Sequence, residues 1–144
     1  MSPALQIRFS ATPSTRSLYE AGSDADPHGF IGVLMDGALQ RICDAREQLA
    51  AGAGTTAGAR RLLRTTKLIL GELRADLDLR GGGAIAANLD DLYDYMARRL
   101  GAAELTDGLA ALDEVSHLLD ALRTAWAFMP PEVVRSLTEL AKRN

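Results

Sequence analysis

Glu114-x-x-His117 is the spacing with which a helical bundle can offer a carboxylate and an imidazole to a di-iron centre. Such a centre also wants a second Glu-x-x-His and two further inward glutamates. The other histidine of the chain, His28, has Ala25 rather than an acid three residues before it. His117 also falls off the apolar stripe of Leu112, Val115 and Leu119, so it is expected to face solvent. Gly81-Gly82-Gly83 precedes a helical pattern, where backbone N–H groups can hold a phosphate. No strand leads into it, and neither the dinucleotide nor the Walker spacing is present, so it reads as a flexible turn between helices. The serines have no His and Asp arrangement around them to make a nucleophile. Arg60, Arg61, Arg64 and Lys67 could meet phosphate, but they lie opposite the leucines of their helix and read as a solvated face. Cys43 is the sole cysteine, without a CxxC partner, and reads as a small interior or boundary residue. No catalytic set, metal site or cofactor site is expected.

The elements that carry these residues are helical. Ala, Leu and Arg are abundant while β-branched and aromatic residues are sparse. The length of 144 residues fits one domain able to bury a sizeable core without disulfide or metal. Acids and bases are mixed throughout to a net charge of −3, which argues against a general nucleic-acid or membrane-surface binder. No stretch approaches the ~20 apolar residues of a membrane span, and residues 1–24 hold no run suited to a signal peptide. A cytoplasmic location without membrane insertion is expected.

Residues 1–24, rich in Ser, Thr, Pro and Gly, read as a flexible N-terminal tail with one possible anchor at Leu18-Tyr19. A first helix opens with Asp26 as cap and Pro27 at its first position, and carries Ile31, Leu34, Met35, Ala38, Ile42, Ala45 and Leu49 at spacings of three and four. A second starts near Thr55 or Thr56 with Ala59, Leu62, Leu63, Thr66, Ile69, Leu70, Leu73 and Leu77 on one side, and breaks at Gly81–Gly83. A third, from about Ala84 to Ala103, turns Ile85, Leu89, Leu92, Tyr93, Met96 and Leu100 inward. A fourth, after Thr106, presents Leu109, Leu112, Val115, Leu119, Leu122 and Trp126, and Pro130-Pro131 stops it. A short fifth helix follows through Val133, Val134, Leu137 and Leu140. Four stripes of similar length on short turns bury their faces only side by side. The expected fold is therefore all-α: an antiparallel up-down four-helix bundle over residues 25–129, with a short extra C-terminal helix in 130–144.

Two features exceed the needs of a core. Gly29, Gly32 and Gly37 interrupt the first helix, each at up to ~1 kcal/mol relative to alanine. Fraying at the helix start makes the first two cheap, which leaves Gly37 as the sign of close approach by another chain or helix. On the third helix Asn88, Leu92, Tyr95 and Arg99 form a stripe beside the core stripe, of a composition common at protein interfaces. Packing against the second or fourth helix claims Tyr95 equally well.

The run Asn88-Leu89-Asp90-Asp91-Leu92-Tyr93-Asp94-Tyr95-Met96-Ala97-Arg98-Arg99-Leu100, following Gly81-Gly82-Gly83, resembles the signature helix of the flagellin-specific export chaperones, the FliS family. Leu34-Met35-Asp36-Gly37-Ala38-Leu39 resembles that family's motif on its first long helix, with Met35 where a tyrosine is usual. Glu72-Leu73-Arg74 with Leu77-Asp78, and Glu114-Val115, Leu118-Leu119 and Leu122-Arg123-x-Ala125-Trp126, are similar to its second and closing helices. The likeness covers about residues 25–128. Asp24-Ala25-Asp26-Pro27 replaces the usual Thr-Ala-Ser-Pro start, keeping the proline and a capping side chain.

The resemblance implies a cytoplasmic chaperone that binds the disordered C-terminal segment of flagellin, prevents its premature polymerisation and hands it to the export gate of the flagellar type III apparatus, without nucleotide or metal. The residues expected to meet partners are Leu18 and Tyr19 in the tail; Phe30, Ile31, Leu34, Met35, Gly37 and Ala38 on the first helix; and Asn88, Leu92, Tyr93, Tyr95, Met96 and Arg99 on the third. The client is expected on a surface built from these two helices, around Gly37 and Tyr95, with the tail covering part of the groove when no client is bound. The competing readings are a self-associating structural bundle that dimerises through exposed apolar faces, or an adaptor without a flagellin client; a third and poorer one is a nucleic-acid-binding helical domain using the Arg60–Lys67 face.

Overall fold

The computed structural model describes residues 27–51, 57–104 and 108–138. They form four long helices, α1 (Pro27–Ala50), α2 (Ala57–Ala75), α3 (Gly83–Ala103) and α4 (Gly108–Ala127), and a short α5 (Pro131–Leu137). Asp26, Thr55, Thr56 and Leu140 lie outside the described residues, as do Leu18 and Tyr19.

The helices close a four-membered ring. α1 packs on α2 and α4, and α3 packs on the same two, so α1 and α3 are diagonal to each other. Ion pairs between neighbours give the directions. Arg46 meets Asp113 while Arg123, ten residues later than Asp113, meets Asp36, ten residues earlier than Arg46, so α1 and α4 run antiparallel. Lys67–Glu104 and Arg74–Asp90 do the same for α2 and α3. The bundle is the up-down arrangement that short turns impose.

The core holds the residues that the helical spacing selects. Leu34, Met35, Ala38, Ile42 and Ala45 of α1 face Leu63, Ile69, Leu70 and Leu73 of α2, Leu89, Tyr93, Met96 and Leu100 of α3, and Leu112, Val115, Leu119 and Trp126 of α4 within one buried cluster. Burial of such a set away from water is the main source of stability for a domain of this size.

Several details differ from the sequence expectation. Ile85 and Leu109 are exposed rather than inward, because the stripes begin one residue later on α3, with Ala86, and two residues later on α4, with Ala111-Leu112. Cys43 is exposed as well. Arg41 takes an interior place instead: it is 1% exposed and donates from Nη1 to the Gly37 carbonyl at 3.2 Å. α2 ends at Ala75, short of the glycines. The residues between form a hydrogen-bonded turn. The Asp78 carboxylate accepts from the backbone N–H groups of Arg80 and Gly81, at 3.1 and 3.0 Å. Leu77 pairs antiparallel with Thr138 after α5, and the Asp78 N–H donates to the Leu137 carbonyl at 2.8 Å. Two of the glycines are required there. Gly83 has φ +58°, and a Cβ on Gly82 would stand 2.5 Å from Ala86 Cβ and 2.8 Å from the Asp78 carbonyl oxygen.

Candidate protein-binding face

Along α3, residues spaced by three and four divide between two neighbours. Asp90 and Asp94 turn to α2, where Arg74 bridges them: Nε and Nη2 donate to the two Asp90 oxygens at 2.8 and 3.3 Å, and Nη1 donates to Asp94 at 3.2 Å. Arg98 closes on Asp94 at 3.1 Å, one helical turn away. The Arg74 guanidinium holds the Asp90 carboxyl below the usual carboxylate range.

The other side of α3, with Leu92, Tyr95 and Arg99 half-buried, meets α4. Tyr95 donates its hydroxyl to the Glu114 carboxylate, 2.9 Å from each oxygen, and Arg99 Nε donates to the same group at 2.6 Å. Arg99, helped by the Tyr95 hydroxyl, lowers the Glu114 pKa, and the hydrogen bond to that carboxylate raises the Tyr95 phenol. Arg98 lies with its guanidinium carbon 6.0 Å from the Tyr95 ring centroid. On α4, Glu114, Leu118 and Leu122 recur every four residues beside the core stripe, and both leucines are only partly buried. The face is thus an aromatic and two cations over an apolar strip, braced by one carboxylate.

The structure sorts the residues named from sequence. Phe30, Ile31, Leu34, Met35, Gly37, Ala38, Tyr93 and Met96 are buried in the bundle, Asn88 is exposed, and Leu92, Tyr95 and Arg99 are half-buried. A single groove between the first and third helices, around Gly37 and Tyr95, does not form, because these helices are diagonal and Gly37 is interior. The partner of the α3 stripe is α4. From sequence, Glu114 stands as half of a metal-ligand pair and within the closing-helix motif, and not among the residues expected to meet partners. Its signal was the repeat Glu114–Leu118–Leu122, lying one position off the core stripe.

The seam between α1 and α4 is of another kind. The Trp126 indole N–H donates to the His28 carbonyl at 2.9 Å, and His28 Nε2 donates to the Trp126 carbonyl at 2.6 Å, with the rings stacked 5.7 Å apart. One turn further, Arg123 lies against Gly32, where a Cβ would stand 3.2 Å from its Cζ, and reaches Asp36 at 2.8 Å. Gly32 is therefore a glycine of α1 at which the close approach of a neighbouring helix's side chain is seen. A recess of about 520 Å³ opens between Arg46, Asp113, Ser116, His117, Asp120 and Leu39. Five of its six lining residues are polar or charged, unlike the mostly apolar walls that hold small organic ligands. No group of three or more metal-ligating side chains occurs among the described residues, and none of the helices is long and apolar enough to cross a membrane.

The sequence profile of the family described as flagellar protein FliS matches residues 11–133. The flagellar secretion chaperone FliSB of Pseudomonas aeruginosa is 40% identical over 104 residues, which span 72% of this chain and 81% of that relative. The flagellar secretion chaperone FliS of Salmonella typhimurium is 39% identical over 116 residues, spanning 81% and 85% respectively. That of Vibrio cholerae is 34% identical over 110 residues, 76% of this chain and 79% of its own. On these matches, over an all-helical bundle, the chain belongs to the FliS family of flagellar secretion chaperones, a family of chaperones and not of enzymes.

Proposed function

We propose that this chaperone binds the disordered C-terminal segment of flagellin in the cytoplasm, keeps it from polymerising prematurely and delivers it to the gate of the flagellar type III export apparatus. The observation that carries the reading is the half-buried strip of Leu92, Tyr95, Leu118 and Leu122 on the α3–α4 face of a chain that belongs to a secretion-chaperone family. An extended or helical client segment that lays apolar residues along this strip would complete the burial of four side chains and displace water from them. The client's ordering entropy makes such binding modest per unit area. Contacts spread along a strip can also be released one after another, which suits hand-over to a narrow export gate. Tyr95, Arg99 and Glu114 form a brace at one end of the strip and offer a client both donors and an acceptor.

The test is a size measurement by light scattering on the full chain, alone and with a peptide of the flagellin C-terminal segment. A one-to-one complex that forms with the peptide, and is lost when Leu92 and Leu118 are both changed to serine, supports the reading. A chain that stays a homodimer and ignores the peptide favours the self-associating bundle instead.

A further inference from the structure

We propose that the outer face of α2 docks an acidic segment of a second protein, through Arg60, Arg61 and Arg64 with Leu68 as the apolar contact. This surface is separate from the α3–α4 face and does not rest on the flagellin reading.

The cations of the four long helices fall into two sets. Arg46, Arg74, Arg98, Arg99 and Arg123 each meet a carboxylate, Lys67 reaches Glu104, and Arg41 is interior and bonded to the Gly37 carbonyl. Arg60, Arg61 and Arg64 are exposed, and none of the three meets a carboxylate among the described residues. No acid occurs between Glu47 and Glu72, so a helical neighbour at three or four residues cannot supply one. Arg60 and Arg61 are also the fourth and fifth residues of α2, near the positive end of the helix dipole, where cations are unfavourable. An anion on this face would relieve both the crowding of like charges and the opposition to the dipole.

The adjoining surface narrows the choice of anion. Leu68, one turn beyond Arg64, is 59% exposed, and nothing stands within 4 Å of where a Cβ on Gly71 would be. Three guanidinium forks followed by an open leucine and a flat, side-chain-free position match a short segment with carboxylates at one end and an apolar residue at the other. A nucleic acid or an anionic membrane would continue past the arginines onto Glu72 and onto a chain whose net charge is −3. Since α2 lies diagonal to α4, a partner here leaves the α3–α4 strip uncovered.

The probe is a fluorescein-labelled peptide with glutamates at one end and leucines at the other, titrated into the full chain and read by anisotropy. Parallel titrations use the same peptide with glutamine for glutamate, an oligothymidylate and vesicles of phosphatidylglycerol. The expected result is binding of the acidic peptide that weakens at least about tenfold in the triple variant Arg60→Ala, Arg61→Ala, Arg64→Ala, and several-fold in Leu68→Ser. The triple variant should keep or raise its melting temperature, because the charges removed oppose the helix dipole, and should bind the flagellin segment as the parent does. Acidic-peptide binding that is absent, or that survives loss of the three arginines, overturns the proposal. So does tighter arginine-dependent binding of the oligonucleotide or the vesicles, and so does loss of flagellin binding in the triple variant, which would put these arginines in the client face.

Discussion

Changing Gly32 to alanine sets two effects of known sign against each other on the seam between α1 and α4. Alanine is favoured over glycine inside a helix by up to ~1 kcal/mol. The new methyl would stand 3.2 Å from Cζ and Nη2 of Arg123 and 3.4 Å from Nη1, so the guanidinium must retreat by a few tenths of an ångström. That retreat loosens the two-pronged bond to Asp36, at 2.8 and 3.3 Å. The Arg123 and Asp36 side chains are 30% and 52% exposed, and an ion pair so open to water contributes only about 0.2–1 kcal/mol. In the parent the two effects nearly cancel, and the melting temperature should move by less than about 2 °C. With Arg123 already replaced by alanine nothing opposes the propensity gain, and Gly32→Ala should raise the melting temperature by roughly 4 °C for a domain of this size. Thermal unfolding followed by circular dichroism on the four proteins of this double-mutant cycle measures the difference. Equal gains in both backgrounds would show that Gly32 is not the seat of Arg123 and that the reading of this seam is wrong.

Other outcomes follow from the same structure. Tyr95→Ala should weaken binding of the flagellin C-terminal segment by about 30-fold or more, as loss of an aromatic anchor does, with little change in melting temperature, and Tyr95→Phe should lose much less; calorimetric titration of each variant decides. Glu114, Asp90 and Asp113 have carboxyl pKa values below their unfolded ones, each through a hydrogen bond to an arginine. The stability they add is therefore complete above the unfolded carboxyl value near pH 4 and is lost as pH falls through their lower folded values. Melting temperatures from pH 7 down to pH 2 should fall more gently in Asp90→Asn than in the parent. Deleting residues 1–24 should raise flagellin affinity or promote self-association, read by titration and light scattering, if Leu18 and Tyr19 shield an apolar surface of the free chain.

Helix number and order, the start of α1 and the stop after α4 were legible because each rests on local rules: spacings of three and four for the stripes, Pro27 and Pro130-Pro131 for the limits; the end of α2 at Ala75 was not, since no breaker residue marks it. The stripe of Leu92, Tyr95 and Arg99 was legible too, by its offset from Leu89, Tyr93 and Met96. Its partner was not, since periodicity gives the angle of a residue about its own helix and not the identity of the neighbour at that angle. The up-down order itself places the first and third helices on a diagonal, so the neighbour of the α3 stripe is α2 or α4 and not the helix that carries Gly37. Arg41 escaped because a long cation at an inward position reads as a break in the pattern, whereas its guanidinium stays inside by bonding back to the Gly37 carbonyl. Ile85 and Leu109 misled for the opposite reason. At a helix start one residue step turns a side chain by about 100° and no earlier turn fixes the phase.

The pairing of Leu77 with Thr138 has a consequence for the order in which the chain becomes competent. Synthesis is vectorial, and N-terminal parts fold first. The strap that pins the Asp78–Gly82 turn is made only after α4, from Leu137 and Thr138. That turn sets the start of α3 and hence the register of Asn88, Leu92, Tyr95 and Arg99. A nascent chaperone therefore carries all four long helices before the foot of its α3 stripe is fastened, because the fastening waits for residues that follow α4.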